Sequence, residues 1–159
     1  MIHIKLKSYI IITMALVILI GMGSSVSAAD NNVDYFQNGN SNNASLIQSG
    51  ENNFAYIKEF GDENFAEVEQ SLEGNISKIN QLGNNNRALI KQHAENNSAF
   101  IIQNGNLNRA QIIQKAANNY ANINQNGNTN NAEIIQLSRG NSALITQIGN
   151  GNQAFIKQE

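Results

Sequence analysis

The groups best suited to acid–base or metal chemistry are two histidines, His3 and His93, and a pair of carboxylates, Glu67 and Glu69. Neither arrangement supports such chemistry. Two histidines cannot build a His-based metal site, and there is no cysteine to supply thiolate ligands or disulfides. His93 falls beside a turn, where a solvated side chain is expected. Glu67 and Glu69 lie two apart on a face that varies along the chain, with no partner group for acid–base work. Gly149-Asn150-Gly151 reads as a turn and not as a phosphate loop. The chain is therefore expected not to be an enzyme and to need no cofactor.

Carboxamides are the side chains that recur with a pattern. The 159 residues include 30 Asn and 13 Gln, only 14% charged side chains, and no Pro or Trp. Such a polar, weakly charged chain either stays disordered or stacks as β-structure. A formal charge of −2 excludes a nucleic-acid binder driven by net basic charge.

Asn returns every eleven residues without a miss, from Asn31, Asn42 and Asn53 through Asn130, Asn141 and Asn152. Two places on stands a column of Ala with one Ser, from Ala44 and Ala55 through Ser77 to Ala154. Two further on is an aliphatic column containing Ile90, Ile112, Ile134 and Ile156. Two beyond that is a Gln column, interrupted once by Glu59. Spacing of two within the unit means one face of a strand. An eleven-residue period can also mark a right-handed helical coil. Apolar residues do not recur here at three and four, and Asn and Gly crowd the unit ends, as turns require.

From residue 61 onward glycine occupies the ninth position in alternate units: Gly61, Gly83, Gly105, Gly127, Gly149. The true rung is therefore 22 residues. The expectation is an all-β chain, a β-solenoid of 11-residue strand–turn units, two per 22-residue rung, forming two facing parallel sheets with cross-β amyloid stacking. Six rungs at the usual spacing would stand ~29 Å tall. Stacked Gln81, Gln103, Gln125 and Gln147 would form one amide ladder and Gln92, Gln114, Gln136 and Gln158 the opposite one. Asn86, Asn108, Asn130 and Asn152 would form another, each amide satisfying the next along the axis. Turn formation is expected to explain the second Asn of pairs such as Asn52-Asn53 and Asn118-Asn119. One rung cannot offset its own ordering entropy, so stability must come from its neighbours. No Pro blunts an edge, Gln158-Glu159 stops mid-unit, and open strand edges are expected at both ends.

Residues 1–28 read as a secretory signal: Lys5 and Lys7, an apolar run Ile10–Ile20, then Val26-Ser27-Ala28 as a cleavage site. Eleven apolar residues are too few to span a bilayer comfortably. Residues 29–41 form a short N-terminal segment with a degenerate first repeat, and 42–159 the repeat domain.

The consensus Asn-x-Ala-x-Ile-x-Gln-x-Gly, as in Asn97-Ser98-Ala99-Phe100-Ile101-Ile102-Gln103-Asn104-Gly105, closely resembles the curlin repeat of bacterial curli fibres. The resemblance covers essentially all of residues 31–159. It implies a secreted amyloid subunit of the extracellular biofilm matrix, a fimbrium at the outer surface of a bacterial cell. Implied partners are further copies of itself, the major curlin subunit, and the outer-membrane secretion channel with its accessory factors. The Arg- and Lys-bearing repeats Asn86-Arg87-Ala88-Leu89-Ile90-Lys91-Gln92 and Asn108-Arg109-Ala110-Gln111-Ile112-Ile113-Gln114 look more like the minor, nucleating subunit than the major one. Major structural curlin is the alternative role. A soluble, capped β-solenoid adhesin is the rival from another class. Thr is too scarce for an ice-binding face, and the Gly-Gly-x-Gly-x-Asp pattern of calcium-binding repeats is missing.

Charge divides the chain unevenly. Residues 51–73 carry a net −6 and residues 78–115 a net +4. Arg87 and Arg109 would stack as like charges one rung apart. Glu59 puts a carboxylate into an inward ladder, where an unpaired charge is costly. It is a candidate gatekeeper that slows assembly, with ordinary solubility charge as the bland alternative.

Overall fold

Each unit alternates small or amide side chains with variable ones, so a strand built from it has one uniform face to bury. The computed structural model describes residues 30–159, together with the backbone of His3–Leu6 (β1) and Leu16–Val17 (β2). The expected leader, residues 1–28, otherwise lies outside the described residues.

Strands β3 (Asn32–Asn38), β5 (Phe54–Phe60), β7 (Ile76–Leu82), β9 (Ser98–Asn104), β11 (Tyr120–Asn126) and β13 (Ser142–Ile148) form the first sheet. The second sheet holds β4 (Asn43–Gln48), β6 (Phe65–Gln70), β8 (Arg87–Gln92), β10 (Arg109–Gln114), β12 (Asn131–Gln136) and β14 (Gln153–Gln158). The chain enters the two sheets in turn, and every neighbour within a sheet is parallel. Register is constant at 22 residues: Ile79 pairs with Ile101, Ile101 with Ile123, Ile90 with Ile112. Six rungs of two strands make an all-β solenoid with no helix among the described residues. The backbones of β1 and β2 extend the sheets along β3 and β4. The open edge expected at the N-terminal rung is therefore occupied, whereas the outer edges of β13 and β14 have no partner among the described residues.

The core is one continuous column between the sheets. Ala55, Ala66, Ala88, Ala99 and Ala121 are wholly buried, as are Ile79, Ile90, Ile101, Ile112, Ile123 and Ile134. Small side chains fill the third position, all alanine except Val33 and Ser77, and β-branched Ile suits the strand centre. Burial loosens at the two end rungs, at Tyr35 in the first and at Ala154 and Ile156 in the last, all half-buried. Such an interior has no hydrophobic side chain that closes it off, because every rung repeats the one below.

Turn geometry positions the strands. Gly105 has φ 114°, and a Cβ there would lie 2.1 Å from the carbonyl oxygen of Gly127 in the next rung. Only glycine permits that approach. The eleventh position of each unit is left-handed as well, whatever its side chain: Asn52, Asn85, Asn96 and Asn118, but also Glu63, Leu107 and Thr129. Parallel stacking forces that conformation on residues that do not favour it.

Candidate functional site

In the second sheet the Gln side chains form an unbroken chain of hydrogen bonds along the stack. Each Nε2 donates to the next Oε1: Gln48 to Gln70 at 2.7 Å, Gln70 to Gln92, Gln92 to Gln114, Gln114 to Gln136 and Gln136 to Gln158, the last four at 2.9 Å. The second Nε2 hydrogen crosses to the opposite sheet, as from Gln92 to the carbonyl of Ile76 at 3.0 Å. Both donors of each amide from Gln70 to Gln136 are thus used inside the core, which makes a polar interior tolerable. All the donors face the same way along the axis. The first sheet repeats this through Gln81, Gln103, Gln125 and Gln147.

Asn side chains add backbone contacts to the expected amide-to-amide ladder. The Asn86 Oδ1 accepts the backbone N–H of Asn108 at 3.0 Å, and the Asn108 Oδ1 accepts that of Asn130 at 3.0 Å. Their Nδ2 groups donate to turn carbonyls one rung on, Asn86 to Gly105 and Asn130 to Gly149, both at 2.8 Å. Side chain to side chain contact accompanies this at Asn130–Asn108 and Asn152–Asn130. Each Asn therefore ties two rungs together and braces the turn between its strands.

The paired asparagines need a correction. Asn52 and Asn118, the first of each pair, hold the left-handed turn conformation. Asn53 and Asn119, assigned to turn forming alone, are buried members of the second Asn column; their Oδ1 atoms accept the N–H of Asn75 and Asn141. A further column escaped the sequence altogether. On the exposed turns the Oδ1 atoms of Asp62, Asn84, Asn106, Asn128 and Asn150 accept the N–H of the residue one rung below. The signal was present, since those residues recur every 22 positions, but the Asn-rich turns around them mask the period.

Glu59 interrupts the first sheet's amide column. It is wholly buried between Gln37 and Gln81, with which its strand pairs in register. Gln37 Nε2 donates to one carboxylate oxygen, Oε2. The other, Oε1, has no partner, and neither has Oε1 of Gln81. Burial pushes the Glu59 carboxyl up to about 8 from an ordinary 4.5, partly offset by the Gln37 hydrogen bond. Nearby, the Tyr35 hydroxyl is buried without a partner; its pKa is raised, first by burial and then by the Glu59 charge. Ser77 adds a further unpartnered group to the same sheet, a buried hydroxyl in the alanine column.

Outward faces carry the charge. Arg87 and Arg109 are in register one rung apart, and the Arg87 guanidinium lies 4.5 Å from the Phe65 ring centroid on its other side. Lys91 bridges Glu69 at 2.9 Å and Glu67 at 3.5 Å, so the two carboxylates hold a lysine in place. The Lys91 hydrogen bond lowers the Glu69 pKa, and the Lys91 pKa rises in return. His93 is partly exposed, 3.4 Å from Glu69. Among the described residues no group of three or more His, Cys, Asp or Glu is placed to hold a metal ion.

The family model described as the curlin associated repeat matches this chain at residues 39–71, 61–93, 83–115, 116–149 and 133–159. No curated protein matches it.

Proposed function

Because those matches together run over well more than half its length, the chain belongs to the curlin associated repeat family, and from that membership we propose that it is a secreted fibre subunit. Family membership indicates a curli subunit that self-associates into extracellular fibres, a structural role and not an enzymatic one. Beyond that, this subunit is the minor one, nucleating fibre growth at the bacterial surface for biofilm matrix and adhesion. Its Arg- and Lys-bearing aliphatic repeats favour the minor role over the major structural one.

One observation carries the fibre reading: the stacking is the same from rung to rung, with every Gln donor facing one way. A column of that kind has no internal stop, so its ends present its own interior. Gln158 Nε2 spends one hydrogen on Ser142 and keeps its stacking hydrogen, while the buried Oε1 of Gln48 has no partner. A second copy placed in the same 22-residue register meets donors with acceptors, β14 against β4. Removal of residues 1–28 as a leader exposes the β3 and β4 edges for that contact. The partners are further copies, the major curlin subunit, and the secretion channel with its accessory factors.

A thioflavin-T time course on purified residues 29–159 at micromolar concentration tests this. A lag, growth and a seedable plateau are expected. A flat trace from a monomer already rich in β-structure overturns the fibre and leaves the capped adhesin. For the nucleating role, a trace amount of the assembled chain shortens the lag of a major curlin subunit; no shortening assigns the chain to the major role.

A further inference from the structure

Two buried acceptors without partners stand on register-paired residues of the first sheet, and a proton would satisfy both. Glu59 and Gln81 are register partners on β5 and β7, both wholly buried, and the Oε1 of each has no partner. Everywhere else along the two columns from Gln48 and Gln81 onward, an Nε2–H fills that position. An ionised carboxylate has no hydrogen to give, whereas a neutral carboxyl has one O–H donor. We propose that Glu59 is the proton-sensing position of the stack: its neutral carboxyl donates to Oε1 of Gln81 and completes the amide column, and its ionised form leaves the column broken.

Among the described residues the Tyr35 phenol is the one neighbouring group with a hydrogen free to give, and its hydroxyl makes no hydrogen bond to Glu59. On β3 the groups facing Glu59 are the Gln37 amide and the Tyr35 phenol; on β7 it is the Gln81 amide. The inward residues of β4 and β6 in the opposite sheet are Ala44, Leu46, Gln48, Ala66, Val68 and Gln70, none of them ionisable. Lys58, next in sequence, points to the outer face, with its Nζ 4.7 Å from the Phe60 ring centroid. Among the described residues no cation offsets a charge on Glu59. A proton is therefore the species whose arrival satisfies both orphan oxygens at once.

The direction of the pH effect follows. Folded Glu59 releases its proton near pH 8, against 4.5 ordinarily. Below 4.5 the carboxyl is neutral in both folded and unfolded chains and the rungs suffer no penalty. Between 4.5 and 8 the unfolded chain has lost the proton and the folded one keeps it, so stability falls steadily with rising pH. Above 8 both are ionised and the penalty is constant. Acidification thus favours ordering of the rungs around residue 59, and mild alkali opposes it.

The site lies inside one chain, so it can be tested whether or not copies associate. Infrared spectra of the folded chain with isotope-labelled glutamate, taken at pH 6.5, should show a neutral carboxyl band that is missing in Glu59→Gln. In parallel, the parent should lose folded chain, by about tenfold or more in the folding equilibrium, between pH 5 and pH 8.5. Glu59→Gln, which supplies an Nε2–H where the proton stood, should show less of that dependence. A carboxyl band absent from the parent at pH 6.5 overturns the proposal. So does an equal pH dependence in parent and variant.

Discussion

The two Gln columns are built from one repeat, yet they differ. The second sheet carries five consecutive amide bonds from Gln48 to Gln158. The first sheet carries three from Gln81 to Gln147, then a gap below Gln81, where Glu59 stands. Backbone pairing is the same across the gap as elsewhere. Register therefore belongs to the backbone, the glycine turns and the aliphatic columns. The amides decide how much a correctly registered rung costs. One atom, nitrogen or oxygen at the end of residue 59, separates a closed column from an open one.

The largest effect should be the one that does not distinguish the sheets. Ile101→Ala in the first sheet and Ile112→Ala in the second both empty a wholly buried position. Each should lower stability by about 2–5 kcal/mol, by similar amounts and independently of pH. Guanidinium midpoints for the two variants check this. A much smaller loss in the first sheet would mean that its packing, and not its polar column, is the weaker.

Moving the break should come next. Gln114 lies in the middle of the intact column, donating to Gln136 and to the carbonyl of Ser98. Gln114→Glu recreates the Glu59 situation there. If its carboxyl is raised as far as that of Glu59, the loss is about 3 kcal/mol at pH 7. It should fade as pH falls to 4.5 and below, as the carboxyl becomes neutral in the unfolded chain as well. Denaturation at pH 4.5 and pH 7 measures both limbs, and a loss equal at the two pH values would refute the proton account.

A smaller contrast lies within the first column. Gln103 accepts from Gln81 and donates to Gln125, whereas Gln81 only donates. Gln103→Leu removes two ladder bonds and Gln81→Leu one. Above pH 8, where ionised Glu59 has no hydrogen to give Gln81, the first should cost about 1 kcal/mol more than the second, the net worth of a single bond. Equal losses would show that the Gln81 oxygen has a partner after all.

Much of this was legible in the sequence, for a physical reason. An interior that repeats every rung must repeat its side chains, so the Asn, Ala, Ile and Gln periods gave the strand face, the 22-residue rung and the two columns. Glu59 stood out as the exception to its column. What stayed hidden depends on direction rather than identity. Nothing in the letters says that Asn86 would hand its oxygen to the Asn108 backbone and its nitrogen to the Gly105 carbonyl. Left-handed Leu107 and Thr129 were equally illegible, because the parallel stack imposes a conformation their side chains disfavour. The exposed column from Asn84 to Asn150 was lost among other turn asparagines.

The smallest prediction separates the two defects of the first sheet. Ser77 occupies the alanine column between Ala55 and Ala99, wholly buried, and its hydroxyl has no partner. Burying that hydroxyl loses its bond to water and gains none in return. Ser77→Ala fits the shape its neighbours already have and removes the orphan, so stability should rise by about 1 kcal/mol. Ser77 and Glu59 share no hydrogen-bond partner, so the gains from Ser77→Ala and Glu59→Gln should add to within about 0.5 kcal/mol. They should differ in one respect: the serine gain is the same at pH 5 and pH 8, while the glutamine gain grows across that interval. A neutral or harmful Ser77→Ala would place the whole disparity between the sheets on the one carboxylate.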